Sequence, residues 1–389
     1  MNLSAWMNES WKRRLTSRVS LLYLWVAIAI MAALSKMHSH NVYDIYRYVF
    51  YNTLGGNSLY TASTDGGFSD LNHYGPFFSV IIAPFALCPT WIGLILWSVA
   101  LSLFLYWAVY KSTLSYRQQI FIYWFCAHEL LTALFMSQFN VAIAAIILLA
   151  YAFVEKGRDE LATCLIAIGT LVKFYGILGL AFFPFSNNKK RFLITLGLWM
   201  VLLPLVPSIY SSADFQLSQY VEWIHNIIEK NASNGVRLYQ NISVMGMAHR
   251  ITGMQFSDLW ILIPAVVLFA LPYLRVGQWK YKAFRETILA SSLMSVCLFS
   301  TGTESSGYII AMSGVAVWYT AQPWKRGSLD LFLMVFCFIL TSMSPSDLFP
   351  KYLREEYVLR YALKALPVFI IWLRLITEAL THEYSPEVE

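Results

Sequence analysis

The chain alternates long apolar runs with short polar ones. Apolar runs fill Val19 to about Leu34 and then about 77–88, 90–110, 118–137, 139–154, 161–186, 192–208, 259–274, 287–300, 307–321, 328–343 and 364–380. Runs this dense predict helices that cross a bilayer, although several fall short of the roughly 20 residues a full crossing needs. The expected fold class is an all-α polytopic membrane protein: one domain over residues 1–389, with about 12 transmembrane helices and short interfacial helices in its outward loops.

Basic residues give this pattern an orientation. Lys12-Arg13-Arg14 with Arg18, Lys189-Lys190-Arg191, residues 275–285 and Lys325-Arg326 lie between apolar runs and read as cytoplasmic anchors. Both termini are then cytoplasmic, and loops 36–76 and 207–258 face outward. Within the second loop, 214–230 has the pattern of an amphipathic interfacial helix. Run 161–186 has charged ends on both sides and Lys173 in its middle, which predicts two short helices meeting at the outer side near Lys173. Run 77–88, cut by Pro84 and bounded by Pro89, reads as a partial helix. Residues 300–308 form a third outward loop, and the stretch from Pro345 to Lys364 a fourth, whose four basic residues go against the positive-inside rule. The apolar run after the basic N-terminus lacks a small-residue cleavage pattern and reads as a retained anchor.

Composition narrows the function. With 58% hydrophobic and 13% charged residues the chain lacks the polar surface of soluble domains, and 14 Trp, 24 Tyr and 26 Phe suit aromatic belts at membrane interfaces. The net charge of +6 is spread over small clusters, so nucleic acid is not an expected partner. Cys88, Cys126, Cys164, Cys297 and Cys337 lie in or beside apolar runs without metal-ligand spacing; they read as core thiols, and neither a metal nor a cofactor is expected. A glycine-rich phosphate loop, a Walker lysine and a D-x-D pair are all missing, which disfavours soluble nucleotide donors.

Ionisable and turn-forming residues concentrate in 41–76. Asp44, with Arg47 at i+3, fits a candidate catalytic base at the water boundary; spacing by itself favours a solvated ion pair. The pattern around them suits an interfacial helix with positions 45, 49 and 50 toward lipid headgroups and 44, 47 and 48 on a wetter side. Gly55-Gly56 and Gly66-Gly67 mark turns, and Asn72-His73-Tyr74-Gly75-Pro76 ends at the mouth of the next apolar run. Lys173 has no carboxylate close in sequence; it is either a ligand for an anion in a wet cavity or a lysine snorkelling from a helix end. His128 and Glu129 project about 100° apart on a helix and make no ready dyad. They, with Gln138 and Asn140, read as polar groups that satisfy one another or backbone at a helix junction.

Taken in order, these stretches resemble glycosyltransferase family 87. The resemblance rests on Asp44 followed by Tyr46-Arg47, on Gly56-Asn57-Ser58-Leu59-Tyr60, on Tyr74-Gly75-Pro76-Phe77, on Ala83-Pro84-Phe85-Ala86-Leu87, on Ser137-Gln138-Phe139-Asn140 and on Lys173-Phe174-Tyr175-Gly176, with support from 300–308. Gly75, Ser137 and Phe174 each replace a residue usual in the family, and Ser305-Ser306-Gly307 stands where a histidine is common. The resemblance implies the type C membrane glycosyltransferase fold and an inverting transfer of a hexose, mannose above others. The donor would be a polyprenyl-phosphate-linked sugar and the acceptor a glycan or glycolipid hydroxyl, at the outer face of the cytoplasmic membrane. For such a transfer Asp44 is the candidate base; Lys173, with the outward-loop cations Arg250 and Arg237, the candidate donor-phosphate ligands; and Arg47, Asn72, His73, Tyr74, Gln138, Asn140 and Glu304 the candidates around the substrates. Broken helices and a buried lysine also fit a flippase or permease of a lipid-linked sugar, and a non-catalytic assembly subunit is a third class.

Overall fold

The computed structural model describes residues 15–61, 70–234 and 238–384. The Lys12-Arg13-Arg14 cluster, the Gly66-Gly67 turn and Arg237 lie outside the described residues. Among those residues the chain is helical, without strands. Three helices are each long and apolar enough to cross a membrane: α1 (Arg18–Ser35), α4 (Thr90–Lys111), and α9 (Lys189–Leu202) with the 3₁₀ turns that continue it to Ile209.

Between α1 and α4 lie α2 (Asn41–Gly55) and α3 (Phe78–Ala86). The nine-residue α3 is the partial helix that Pro84 implies. Run 118–137 divides into α5 (Tyr116–Phe125) and α6 (Ala127–Phe135). Next comes α7 (Asn140–Glu155), buried on every side, which explains why its sequence is apolar without a polar stripe. Run 161–186 breaks as expected, into α8 (Asp159–Val172) and a 3₁₀ helix (Phe174–Phe185), with Lys173 extended at the junction. A Cβ on Gly176 would sit 2.4 Å from the carbonyl carbon of Gly169, so glycine there lets the two backbones touch.

The second half holds α10 (Ala213–Asn234), α11 (Val244–Thr252), α12 (Leu259–Ala270), α13 (Lys282–Leu298), α14 (Tyr308–Ala321), α15 (Ser328–Cys337) and α16 (Ala365–Thr381). The pair α13 and α14 is buried almost throughout and packs against α16, α7 and α5. In contrast α9 and α12 leave Leu193, Ile194, Trp260, Ile263 and Val266 exposed, which fits lipid contact. The expected helix at 214–230 is part of α10, and its two faces differ. Gln216, Gln219, Trp223 and Asn226 are buried, while Leu217, Val221, Ile224 and Ile228 are exposed. Its polar face is the inner one.

Two expectations about α2 are corrected. Ile45, Val49 and Phe50 are buried in the core instead of facing headgroups. The Asp44–Arg47 ion pair is absent: Asp44 pairs with His40 at 2.5 Å, and Arg47 donates to Thr90 Oγ1 at 2.5 Å and to the Ala86 carbonyl at 3.4 Å. An i,i+3 pair on a surface is worth little, so it does not fix where the guanidinium points.

Candidate active site

A cavity of about 1260 Å³ opens at the end of the bundle where α2, α10, the Lys173 junction and the 300–307 loop converge. At its floor the chain bends between α8 and the 3₁₀ helix. Gly75 N–H donates to Val172 O at 3.0 Å, and a Cβ on Gly75 would lie 1.9 Å from Leu171 O. Proline at 75 would lose that donor and clash, so the departure from the family pattern there has a steric and hydrogen-bonding basis. Phe174, the companion departure, stacks parallel on Trp223 with centroids 4.7 Å apart.

Lys173 is one end of a polar chain. Its Nζ donates to Asn140 Oδ1 at 2.8 Å, and Asn140 Nδ2 donates to Gln138 Oε1 at 2.8 Å and Ser306 Oγ at 3.2 Å. Gln138 Nε2 in turn donates to Glu304 Oε2 at 2.6 Å. The rings of Tyr175 and Tyr74 lie 4.8 and 5.6 Å from the ammonium. Burial lowers the Lys173 pKa to about 8 despite the opposing field of Glu304. Lys173 thus sits at a helix junction, outside the spanning helices, as a cation seated on aromatic faces. The expectation that Gln138 and Asn140 serve a helix junction agrees with this network; the strained φ of 52° at Ser137 makes the turn that aims them.

The other expected residues divide. Asn72, His73, Tyr74, Gln138, Lys173 and Glu304 all line the cavity. Asn72 brackets Tyr74, accepting from its N–H and donating to its carbonyl at 3.0 Å each. His73 Nδ1–H donates to Asn226 Oδ1 at 2.6 Å, and burial lowers its pKa. Tyr74 accepts at its hydroxyl from Tyr46 and from Phe139 N–H. Asn140 stands just behind the wall, reaching the cavity through Lys173.

Asp44, Arg47 and Arg250 are not among the lining residues. Val42, Ile45 and Tyr46 are the α2 positions on the wall, and at 100° per residue Asp44 lies about 150° around the helix from them. Arg250, expected at a phosphate, instead donates to the carbonyls of Leu238 (3.1 Å), Leu359 (2.9 Å) and Gln240 (2.5 Å), so its fork orders backbone.

Sequence reasoning missed several lining residues: Asp70, Trp223, Asn226 and Lys230. The signal was present for three of them. Trp223, Asn226 and Lys230 fall at i, i+3 and i+7, one face of a helix whose opposite face is apolar. Lys364 was also missed. It is 3% exposed and donates to Glu129 Oε1 at 2.8 Å and to Ser305 O and Oγ at 3.0 and 2.9 Å, fixing the residue beside Glu304. Glu129 Oε1 therefore finds its partner far along the chain, and His128 Nδ1 meets Ser342 Oγ at 3.2 Å.

An apolar groove of about 630 Å³ adjoins the cavity between the 3₁₀ helix, α12 and α13. Phe174, Tyr175, Asn231, Ser300 and Thr301 line both spaces. No group of three or more His, Cys, Asp or Glu suited to a metal occurs among the described residues.

A sequence model of glycosyltransferase family 87 matches residues 72–301. The matched segment takes in the cavity floor, α10 and the groove; Asp44 precedes it and Glu304 follows it. No curated protein and no solved structure matches the chain.

Proposed function

Because the chain belongs to glycosyltransferase family 87, we propose that it transfers a hexose, mannose above others, from a polyprenyl-phosphate carrier to a glycan or glycolipid hydroxyl. The site faces outward from the cytoplasmic membrane. One observation carries the choice of donor: Lys173 lines the cavity beside Phe174 and Tyr175, the residues through which the cavity adjoins the apolar groove. That junction suits an amphiphile with its isoprenoid chain in the groove, its phosphate at the ammonium and its sugar in the cavity. A nucleotide sugar would leave the groove empty.

In this reading the acceptor hydroxyl attacks the anomeric carbon while the phosphate departs from the opposite side. The C–O bond to phosphate breaks, the new glycosidic bond forms, and the centre inverts. Lys173 stabilises charge on the leaving phosphate, already an anion, so no protonating acid is needed. Glu304 is the half-buried lining carboxylate, with one oxygen fixed by Gln138, and takes the hydroxyl proton on the other. Asp44, the candidate for that role by sequence, is held by His40 away from the α2 positions on the wall. Family membership favours transfer over the flippase class.

The test uses purified protein in lipid nanodiscs with polyprenyl-phosphate mannose labelled in the sugar, GDP-mannose as a competing donor, and mannobiose as acceptor. Label should move from the lipid carrier alone to the disaccharide, with inversion. Transfer from the nucleotide donor, or from neither, overturns the reading.

A further inference from the structure

The cavity wall formed by the end of α10 and residues 238–242 contains two amide oxygens without partners. Asn234, in the last turn of α10, is 2% exposed and lines the cavity, yet its Oδ1 has no hydrogen-bond partner. Gln240 lines the same cavity, and its Oε1 is likewise buried and unbonded. Amide oxygens shut away from water are nearly always bonded, so a pair left open on one cavity wall points to a donor that arrives with a ligand.

The wall is anchored from behind. Arg250 holds the carbonyls of Leu238 and Gln240, Ile242 N–H donates to Thr303 O at 2.8 Å, and Tyr308 Oη–H donates to Ile242 O at 2.8 Å. These bonds tie the segment to the loop that carries Glu304. On the same lining, α10 presents Asn226, Lys230 and Asn234 at i, i+4 and i+8, so all three reach the cavity from one helix face.

The chemistry of the open groups selects the ligand. Carboxamide oxygens accept and never donate, so an ionised phosphate or carboxylate, which brings no proton, gains nothing from them. Sugar hydroxyls donate, and their oxygens can take bonds back from amide N–H groups. We propose that Asn234 and Gln240 form a hydroxyl-binding subsite for the sugar of the acceptor, separate from the cationic corner at Lys173. This rests on the transferase reading of the same cavity. Lys173 holds the phosphate of one substrate, and the amides hold the neutral glycan of the other.

The experiment separates the two ideas by measuring binding and transfer independently. Mannobiose is titrated calorimetrically into the full-length protein in nanodiscs without donor. Saturable binding should weaken about tenfold in Asn234→Leu and in Gln240→Leu, which keep volume but lose the acceptor oxygen. Asn234→Asp, which retains that oxygen, should bind within a few-fold of wild type. With polyprenyl-phosphate mannose present, the leucine variants should raise the KM for mannobiose and leave the donor KM unchanged, whereas Lys173→Ala should move the donor KM. Wild-type binding that both leucine variants match, or no saturable binding by wild type, overturns the subsite even if transfer occurs. Binding lost in the variants but no transfer by any of the proteins upholds a glycan subsite and removes the transferase reading.

Discussion

Lys173 Nζ and Asn140 Oδ1 meet at 2.8 Å across two elements, the junction after α8 and the first residue of α7. Asn140 itself is fixed by bonds to Gln138 and Ser306. A lysine taken from sequence as isolated is thereby aimed, with donors to spare, at a cavity floored by tyrosine rings. An ammonium held this way can bind an anion without reorganising, the condition under which electrostatic stabilisation of a leaving group is strongest.

The pH dependence of donor use follows from this environment. Because burial lowers the Lys173 pKa from 10.5 to about 8, the free protein loses its cation as pH rises through that value. The kcat/KM for polyprenyl-phosphate mannose should decline above about pH 8. Lys173→Arg, which stays charged, should give lower activity with no such decline. A wild-type profile flat to pH 10, or a Lys173→Ala variant with normal donor KM, would remove Lys173 from the phosphate.

The base is decided by two isosteric variants. Glu304→Gln and Asp44→Asn each keep shape and hydrogen bonding but cannot take up a proton. The cavity geometry predicts that Glu304→Gln loses on the order of a hundredfold or more in kcat, while Asp44→Asn loses far less. The reverse ranking in a single-turnover assay would return the role to Asp44 and require α2 to turn when substrate binds.

The Lys364–Glu129 pair should act on stability first. Both groups are almost wholly buried, so Lys364→Met leaves a carboxylate without its cation and should cost about 3–5 kcal/mol. Removing both charges in Lys364→Met with Glu129→Leu should recover most of that loss in thermal unfolding in detergent. If kcat recovers along with stability in the double variant, the clamp on Ser305 is not what orders the Glu304 loop.

Ser137 offers a test in the opposite direction. Its φ of 52° lies in the left-handed region, which a side chain disfavours and glycine does not. Ser137→Gly should therefore gain up to about 1 kcal/mol, the strain relieved less the extra freedom of the unfolded chain. A fall in melting temperature would show that the Ser137 side chain makes a contribution greater than its backbone strain.

Orientation is checked by labelling. Single cysteines at 239 and 348 in a cysteine-free background should react with an impermeant thiol reagent from outside, and those at 190 and 280 only after the membrane is opened. Reaction of 239 and 190 from the same side would overturn the outward-facing cavity.

Several features of this protein follow from its sequence because they depend on neighbours along the chain. Apolar runs set where helices form, Pro84 shortens α3, and a lysine inside an apolar run forces the break between α8 and the 3₁₀ helix. The membrane character, the family and part of the cavity lining, including Lys173, Asn72, His73 and Gln138, were legible this way. What tertiary structure decided is which face each helix turns inward and which partner each charged group finds. Asp44 and Arg47 are a ready pair by spacing, yet His40 and Thr90 take them, since a surface ion pair is too weak to set side-chain direction. Glu129 meets Lys364, and Arg250 gathers carbonyls from two distant segments, because buried polar groups must be satisfied by whatever the packed bundle brings near. Local sequence carries periodicity; it carries no record of contacts made two hundred residues away, and those contacts shape the site.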